Sequence, residues 1–392
     1  MEITDNYNKG TKYLEKKNYE KALQFLKREK ADFKEKFLNL GNAYRGLNND
    51  SLAGENYARA ADESLPSFNG QRGKYPLALN NLGLLCYRNG DDLAASTLYE
   101  SALVVDPVNV DTLWNYSISM LRMGCSGENI DWERAWTMYE YRFQKGTKLD
   151  RSIPRWFGGL APVVTVLAEQ GFGDKFQFWR YLWRVRAECG GDVLVQCDPS
   201  LWDFVRMIGF EPTAVARGLG IPVCSLAWKY GFSERSDYVG GRESTGSGIG
   251  VVWSGSKTHA NDKLRSCFPG YFKQFRDFDN VVGLNPGHSF SDIKCGVNGT
   301  WLDTVSVLRS LRLVVTVDTS IVHLAGVVGT PCIMLQPLKE TDYRWGVGRV
   351  KVANGMAAED NIWYPGVTVV ENNDWAKTFE RVRGMVEEFY AG

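Results

Sequence analysis

Residues 301–326 read WLDTVSVLRSLRLVVTVDTSIVHLAG and contain a helix-like stretch, an apolar β-rich run and the start of a second helix. The run LVVTV is apolar on both faces, which is typical of a strand that helices cover on both sides. Such strands occur in parallel sheets, because the connection between two parallel strands usually carries a helix across one face. This segment therefore predicts an α/β fold built on a parallel sheet.

The same alternation of strands and helices extends from Pro162 onward. The other apolar runs are VVTVLA, DVLVQC, IGVVW, NVVGLN, PCIMLQ and VTVV, and helix-like stretches lie at 176–188, 301–311 and 375–390. A loop rich in Gly and Ser, GGRESTGSGIG at 240–250, divides this region. We therefore expect two Rossmann-like lobes with a cleft between them, at about 160–240 and about 247–392.

The first 150 residues carry a repeated pattern of small and large apolar residues instead. The two clearest copies are Phe37, Leu40, Gly41, Tyr44, Ala53, Tyr57 and Ala60, and Leu79, Leu82, Gly83, Cys86, Ala95, Tyr99 and Ala102. Small residues at fixed positions let two antiparallel helices approach closely, and the large residues fill the groove between them. The pattern resembles the tetratricopeptide repeat and predicts a helical-repeat domain over residues 1–150.

The composition argues against several classes of protein. The 392 residues include 46 basic and 46 acidic side chains, and neither half shows the charge asymmetry of a nucleic-acid tail. Eight scattered cysteines and three histidines argue against a zinc site. No stretch has the pattern of a membrane span or a signal peptide. We therefore expect a cytoplasmic protein without a transmembrane segment, a metal site or a nucleic-acid partner.

Three loops that directly follow predicted strands carry residues suited to chemistry. In Glu169–Asp174 (EQGFGD), glycines permit close approach of a ligand and Asp174 stands at a helix start. In Trp253–Lys257 (WSGSK), hydroxyl groups and a lysine suit a phosphate. In Val317–Ser320 (VDTS), hydroxyl groups and amides meet the positive end of a helix, and His323 lies in its first turn.

Each loop also has a purely structural interpretation. Asp174 is of a residue type that commonly caps helices, and the loop 253–257 has the composition of a solvated turn. His323 suits an apolar helix face as a buried histidine with its hydrogen bonds satisfied. These alternatives stay open on the local sequence alone.

The loops and the repeats resemble one family when they are considered in order. They are similar to glycosyltransferase family 9, the ADP-heptose:lipopolysaccharide heptosyltransferases, and in particular to members linked to tetratricopeptide repeats. The segments that carry the resemblance are 169–181, 253–262, Arg265, Ser266, 301–326, 342–345 and 363–365. The resemblance covers nearly the whole chain. It implies a GT-B fold, in which a pair of Rossmann-like lobes follows the repeats and the second lobe holds the nucleotide sugar.

The resemblance also implies a reaction and its residues. It implies a metal-independent, inverting glycosyltransferase that uses an ADP-, UDP- or GDP-sugar as co-substrate, without a further cofactor. Asp174 occupies the position of the catalytic base. The residues implied to bind the donor and its phosphates are Ser254, Gly255, Ser256, Lys257, Asp318, Thr319, Ser320 and His323. Further substrate contacts are expected from Gln170, Gly173, Gln177, Arg344 and Trp345.

The acceptor and the use of the repeats stay open at this point. A saccharide, a lipid-linked saccharide and a protein are the acceptor classes we expect, and the repeats are expected to bind a protein partner. One alternative is a protein glycosyltransferase of the O-linked N-acetylglucosamine type, which also joins these repeats to a GT-B core. The other is a weakly active or inactive GT-B relic that serves as a tetratricopeptide scaffold.

Overall fold

The structure is a computed structural model of the chain. It describes residues 5–148, 150–231, 237–240, 246–259, 261–347, 352–353, 356–357 and 361–391. The chain forms two compact units, Met1–Met123 with Met138–Lys145, and Gly124–Thr137 with Gly146–Gly392. The domain boundaries expected near residue 150 and between about 240 and 247 stay predictions. Residues 241–245 of the predicted Gly- and Ser-rich loop lie outside the described residues.

The first unit is built from helices that pack in consecutive pairs. Its helices are α1 (Asp5–Glu15), α2 (Tyr19–Leu26), α3 (Lys34–Gly46), α4 (Asp50–Ala61), α5 (Pro76–Arg88), α6 (Asp92–Val105) and α7 (Val110–Cys125). The next helix, α8 (Trp132–Tyr139), lies mostly in the second unit. Helix α1 packs with α2, α3 with α4, and α5 with α6. The second helix of each pair begins at a capping side chain, namely Asn18, Asn49 and Asp91. Each cap satisfies an amide that the helix itself leaves without a partner.

In each of these pairs a glycine of the first helix lies directly against a large side chain of the second. A Cβ atom would lie 2.6 Å from Leu26 at Gly10, 2.5 Å from Tyr57 at Gly41 and 2.7 Å from Tyr99 at Gly83. The same contact between a glycine and a large side chain, 16 residues further along the chain, therefore recurs in all three pairs. The assignment of these pairs to the tetratricopeptide class stays a prediction.

The second unit contains a parallel sheet of four strands. Its strands are β1 (Val163–Leu167), β2 (Asp192–Gln196), β3 (Glu211–Thr213) and β4 (Leu219–Pro222), in the order β3-β2-β1-β4. The helices that alternate with them are α9 (Phe172–Phe178), α10 (Leu182–Cys189), α11 (Trp202–Met207) and α12 (Ser225–Tyr230). Strand β1 comes first along the chain, but in the sheet it lies between β2 and β4.

A second parallel sheet of six strands follows in the same unit. Its strands are β5 (Ile249–Val252), β6 (Val281–Gly283), β7 (Lys294–Cys295), β8 (Leu313–Val317), β9 (Cys332–Pro337) and β12 (Val367–Asn372), in the order β12-β9-β8-β5-β6-β7. The short strands β10 (Val352–Ala353) and β11 (Met356–Ala357) pair with each other, antiparallel. The helices are α13 (Asp262–Arg265), α14 (Trp301–Ser310), α15 (Ser320–Val328) and α16 (Trp375–Ala391).

The second sheet is covered by apolar side chains, as the runs without polar alternation predict. Its core cluster includes Val251, Val315 and Leu335 from the strands, and Phe379 and Val382 from α16. The two parallel sheets with alternating helices confirm the expected α/β class, because each apolar run named in the sequence forms a strand. Among the described residues, no helix combines the length and apolar character that crossing a bilayer requires.

Candidate active site

The strand order of both sheets fixes where a ligand crevice forms. In the first sheet β2 and β4 lie on opposite sides of β1, and in the second sheet β6 and β8 lie on opposite sides of β5. At such a reversal the connecting helices leave toward opposite faces, so a crevice opens beyond the carboxyl ends of the two central strands. The three chemistry-bearing loops follow β1, β5 and β8. All three therefore start at a reversal point.

A cavity of about 1060 Å³ lies within the second unit and joins these loops. The predicted site residues that line it are Gly173, Asp174, Ser254, Gly255, Ser256, Lys257, Asp318, Thr319, Ser320, His323 and Arg344. Loops that follow strands of both sheets thus line the same cavity. Asn285, which follows β6, and His259 also line the cavity, although neither is among the predicted site residues.

Three of the expected substrate contacts lie outside the lining of the cavity. Gln177 and Trp345 are buried, and Gln170 is exposed with its amide donating to Thr147. Gln177 accepts a hydrogen bond from Nε of Arg344, and the indole of Trp345 donates to Oδ1 of Asp318 at 3.0 Å. In this structure Gln177 and Trp345 therefore hold the cavity-lining residues Arg344 and Asp318 and do not line the cavity themselves.

Asp174 is the third residue of α9, whose N-cap is Gly171. Its Oδ2 accepts the Gly171 amide at 2.9 Å, so the carboxylate satisfies a helix-start amide without being the N-cap itself. Its Oδ1 forms an ion pair with the guanidinium of Arg344. Oδ1 also accepts a weak hydrogen bond from Sγ of Cys224 at 4.0 Å, whereas Oδ2 has a second lone pair that can accept a proton from a ligand. The capping and the chemical interpretations of Asp174 are thus compatible.

Arg344 lies in a turn after β9 and connects three side chains. Besides Asp174 and Gln177, it binds both carboxylate oxygens of Asp342, at 3.0 and 2.9 Å. Burial by itself raises the pKa of Asp342, but the contacts with Arg344 outweigh it, so the pKa of that carboxyl is lowered. Arg344 therefore sits between two carboxylates and ties the loop after β9 to α9.

Asp318 directly follows β8 and lines the cavity. Its backbone oxygen accepts from Arg265 at 3.0 Å, and its carboxylate accepts from Trp345. Burial and the neighbouring carboxylate of Asp342 raise the pKa of Asp318, because two close negative charges destabilise each other. This carboxyl is consequently the easier of the two to protonate.

His323 faces the cavity from α15 and is nearly buried. Its Nδ1 forms a hydrogen bond of 2.9 Å with the hydroxyl group of Tyr364. Burial, together with the positive charge of Arg344 and Arg180, lowers the pKa of His323 to about 3. The imidazole is therefore neutral at neutral pH and acts as a hydrogen-bonding group rather than as a cation.

The loop after β5 and the start of α15 form the part of the cavity suited to an anion. Asn285 holds the loop, since its amide accepts from the Trp253 backbone at 3.1 Å and donates to the Ser254 carbonyl at 2.8 Å. Thr319 is the N-cap of α15, and its hydroxyl group accepts a hydrogen bond from the Ile321 amide at 3.3 Å. Free amides and a positive helix end lie at such a start, which favours phosphate.

Positive side chains reinforce this anion-binding region. Lys257 and Arg265 both line the cavity. The guanidinium of Arg265 lies so close to Gly255 that a Cβ there would be 2.7 Å from it. Any side chain at position 255 would therefore displace this guanidinium from the anion-binding region. Within the described ranges, no group of three or more His, Cys, Asp or Glu side chains is arranged to hold a metal ion.

Comparison with known proteins gave matches among solved structures only. No protein-family model matches the chain, and no curated protein matches it. An iron-containing dodecameric glycosyltransferase, TibC, from enterotoxigenic E. coli H10407 is similar at 12% identity and a TM-score of 0.39, over 62% of this chain and 79% of that chain. The E. coli heptosyltransferase WaaC with ADP matches at 10% identity and a TM-score of 0.42, over 58% and 99%.

A third similar structure extends over the first unit as well. An O-GlcNAc transferase mutant from Thermobaculum terrenum matches at 9% identity and a TM-score of 0.34, over 98% of this chain and 91% of that chain. At such identities and scores the similarity is limited. We therefore base the functional proposal on the site residues.

Proposed function

We propose that the chain is a glycosyltransferase that moves a sugar from a nucleotide-sugar donor to an acceptor. One observation carries the proposal: a carboxylate from the loop after β1 and two anion-binding loops, after β5 and β8, line the same cavity. A transfer reaction needs both, because a base must take the acceptor proton while the leaving diphosphate gains charge. The family resemblance of the same three loops supports this interpretation.

The anion-binding loops supply the donor site in this proposal. Ser254, Ser256 and Lys257 face the diphosphate from one side, and the amides at Thr319 and Ser320 face it from the other. Preorganised donors of this kind stabilise charge that develops on a leaving group without reorganising at the moment of reaction. Lys257, Arg265 and the helix end together supply the positive charge, so the proposed mechanism requires no metal ion.

Asp174 is the base of the proposed reaction. The acceptor oxygen forms a bond to the anomeric carbon from the face opposite the diphosphate, and its proton passes to the Asp174 carboxylate. The bond between the anomeric carbon and the diphosphate oxygen breaks, and its electron pair stays on that oxygen. A single displacement of this kind inverts the configuration of the anomeric carbon. Arg344 orients Asp174 through their ion pair.

The acceptor in this proposal is a saccharide, a lipid-linked saccharide or a protein. We further propose that the helices of the first unit bind a protein partner, since stacked helical pairs present extended surfaces. Residues 1–150, expressed alone, are the segment to test by affinity purification.

Donor binding and transfer test the proposal separately. We expect an ADP-, UDP- or GDP-sugar to raise the melting temperature, because a ligand that binds the folded state stabilises it. Asp174→Asn is expected to abolish transfer and keep donor affinity, and Asp203→Asn, an exposed carboxylate on α11, is the matched control. Absence of a shift with every donor at millimolar concentration contradicts the proposed donor site. Full activity of Asp174→Asn removes this residue from the role of base.

A further inference from the structure

The three histidines of the chain, His259, His288 and His323, all line the cavity. His259 is the one that belongs to the anion-binding loop after β5, two residues beyond Lys257. Its position is fixed by the backbone, because its amide donates to the Ser256 carbonyl at 3.1 Å and its carbonyl accepts from Asp262 at 3.0 Å. The side chain is exposed to the cavity.

A hydrogen bond to the ring determines where His259 carries its proton. The backbone amide of Asn261 donates to Nδ1 at 3.2 Å. A ring nitrogen that accepts a hydrogen bond carries no proton, so the neutral ring has its proton on Nε2. Burial, followed by the charge of Arg265, lowers the pKa of His259 and thus favours the neutral ring. Among the described residues, no protein group accepts a hydrogen bond from Nε2.

The loop therefore presents an oriented N–H donor to the cavity beside Ser256 and Lys257. Asn261 adds a second restraint, since its side-chain amide donates to the Glu340 carbonyl at 2.9 Å and ties the loop to the one after β9. A donor held in this way loses little entropy when it binds an acceptor. The acceptors that a nucleotide sugar brings to a lysine- and serine-bearing loop are its diphosphate oxygens.

Building on the proposed function, we infer that His259 donates its Nε2–H to the diphosphate of the donor. During transfer the electron pair of the broken bond stays on the diphosphate oxygen, and the acceptor proton passes to Asp174. His259 keeps its own proton throughout. Its hydrogen bond strengthens as the charge of the leaving group grows, which makes it a catalytic residue.

Two substitutions separate the ring nitrogens in the experiment. His259→Gln places an N–H donor near the position of Nε2, whereas His259→Asn reaches only the position of Nδ1. Binding of inorganic pyrophosphate, measured by calorimetry on the full chain, reports on the diphosphate site without requiring the nucleotide. We expect His259→Asn to weaken binding about 10- to 100-fold, the usual weight of a hydrogen bond to a charged group, and His259→Gln to stay within about threefold of the unaltered protein. Melting temperatures without ligand show that both variants fold.

The remaining outcomes distinguish this inference from the proposed function. If the unaltered protein binds neither pyrophosphate nor any nucleotide sugar, the donor site itself is wrong. If it binds pyrophosphate and Lys257→Met weakens that binding, while His259→Asn binds as tightly as the unaltered protein, the inference about His259 is overturned. Equal weakening in His259→Asn and His259→Gln also overturns it, because an Nε2 donor then has no special role.

Discussion

Gly173 lies directly against the imidazole of His323. A Cβ atom on Gly173 would be 2.6 Å from Cδ2 and 2.9 Å from Nε2 of that ring. The two residues belong to α9 and α15, which follow different sheets and pack against each other beside the cavity. The second glycine of the EQGFGD loop is therefore required by the packing between the loops after β1 and β8.

Gly173→Ala is expected to destabilise the protein by about 1–3 kcal/mol, because the buried imidazole has little room to move. Urea denaturation of the full chain measures the change. Gly384→Ala is the matched control, since its Cβ in α16 would meet no atom within 4 Å. In this helix interior the alanine is expected to stabilise by up to about 1 kcal/mol. Equal stability of Gly173→Ala and the unaltered protein would contradict the packing described here.

Arg344→Met is expected to lower the free energy of unfolding by about 2–3 kcal/mol, because it removes charged hydrogen bonds to the partly exposed carboxylates of Asp174 and Asp342. Transfer activity should be lost with it. Arg206→Met serves as a control, since Arg206 forms an exposed pair with Asp203 and its removal should cost about 1 kcal/mol or less. Similar losses of stability in the two variants would contradict the expectation that Arg344 stabilises the fold more than an exposed arginine does.

The stability of the protein is expected to depend on pH through His323. Its pKa falls from the ordinary value of 6.5 to about 3 in the folded state. Between these values the unfolded chain binds a proton that the folded chain does not bind, so stability decreases as the pH falls from 6.5 toward 3. The contribution of one such group is about 1.4 kcal/mol per pH unit.

Denaturation at a series of pH values tests this contribution. Between pH 6 and pH 4, His323→Gln should remove the contribution of His323 to the slope of stability against pH, while the contribution of the carboxylates should remain. An unchanged slope in the variant would show that the imidazole does not stay neutral in the folded state.

A buried ion pair in the first unit makes a further prediction. Arg122 binds Asp92 through Nε at 2.7 Å and Nη2 at 2.8 Å, and both side chains are nearly inaccessible. Arg122→Met should destabilise the unit by about 3–5 kcal/mol, since it leaves a buried carboxylate unpaired. Adding Asp92→Leu should restore part of that loss. A double-mutant cycle by urea denaturation measures the coupling, and simple additivity of the two changes would contradict it.

The sequence predicts the long strands well and the short ones poorly. Strands β1, β5 and β8 are continuous apolar runs because both faces of the sheet are covered. Strands β3 and β7 have three and two residues, too few to show any pattern. Their pairing depends on neighbouring strands that are distant in the sequence.

The site shows the same division between local and distant information. Residues such as Asp174 and Thr319 can be found because each lies in a loop or helix start that follows a recognisable strand, and Asn285 carries the same signal at the end of NVVGLN. The ion pair of Asp174 with Arg344 joins residues far apart in the chain, so no local pattern predicts it. Trp345 is buried and donates its indole N–H to Asp318, so it contacts a residue of the site instead of the cavity, which no local pattern predicts.

The cavity takes its residues from separate loops, after β1, β5, β6, β8 and β9, while the strands themselves are buried. Each loop can accumulate substitutions without disturbing the sheet that carries it. Specificity for a sugar, a base or an acceptor can therefore diverge one loop at a time in evolution. A library randomised at exposed, cavity-lining loop positions such as Thr258 and His288 offers an engineer the same freedom.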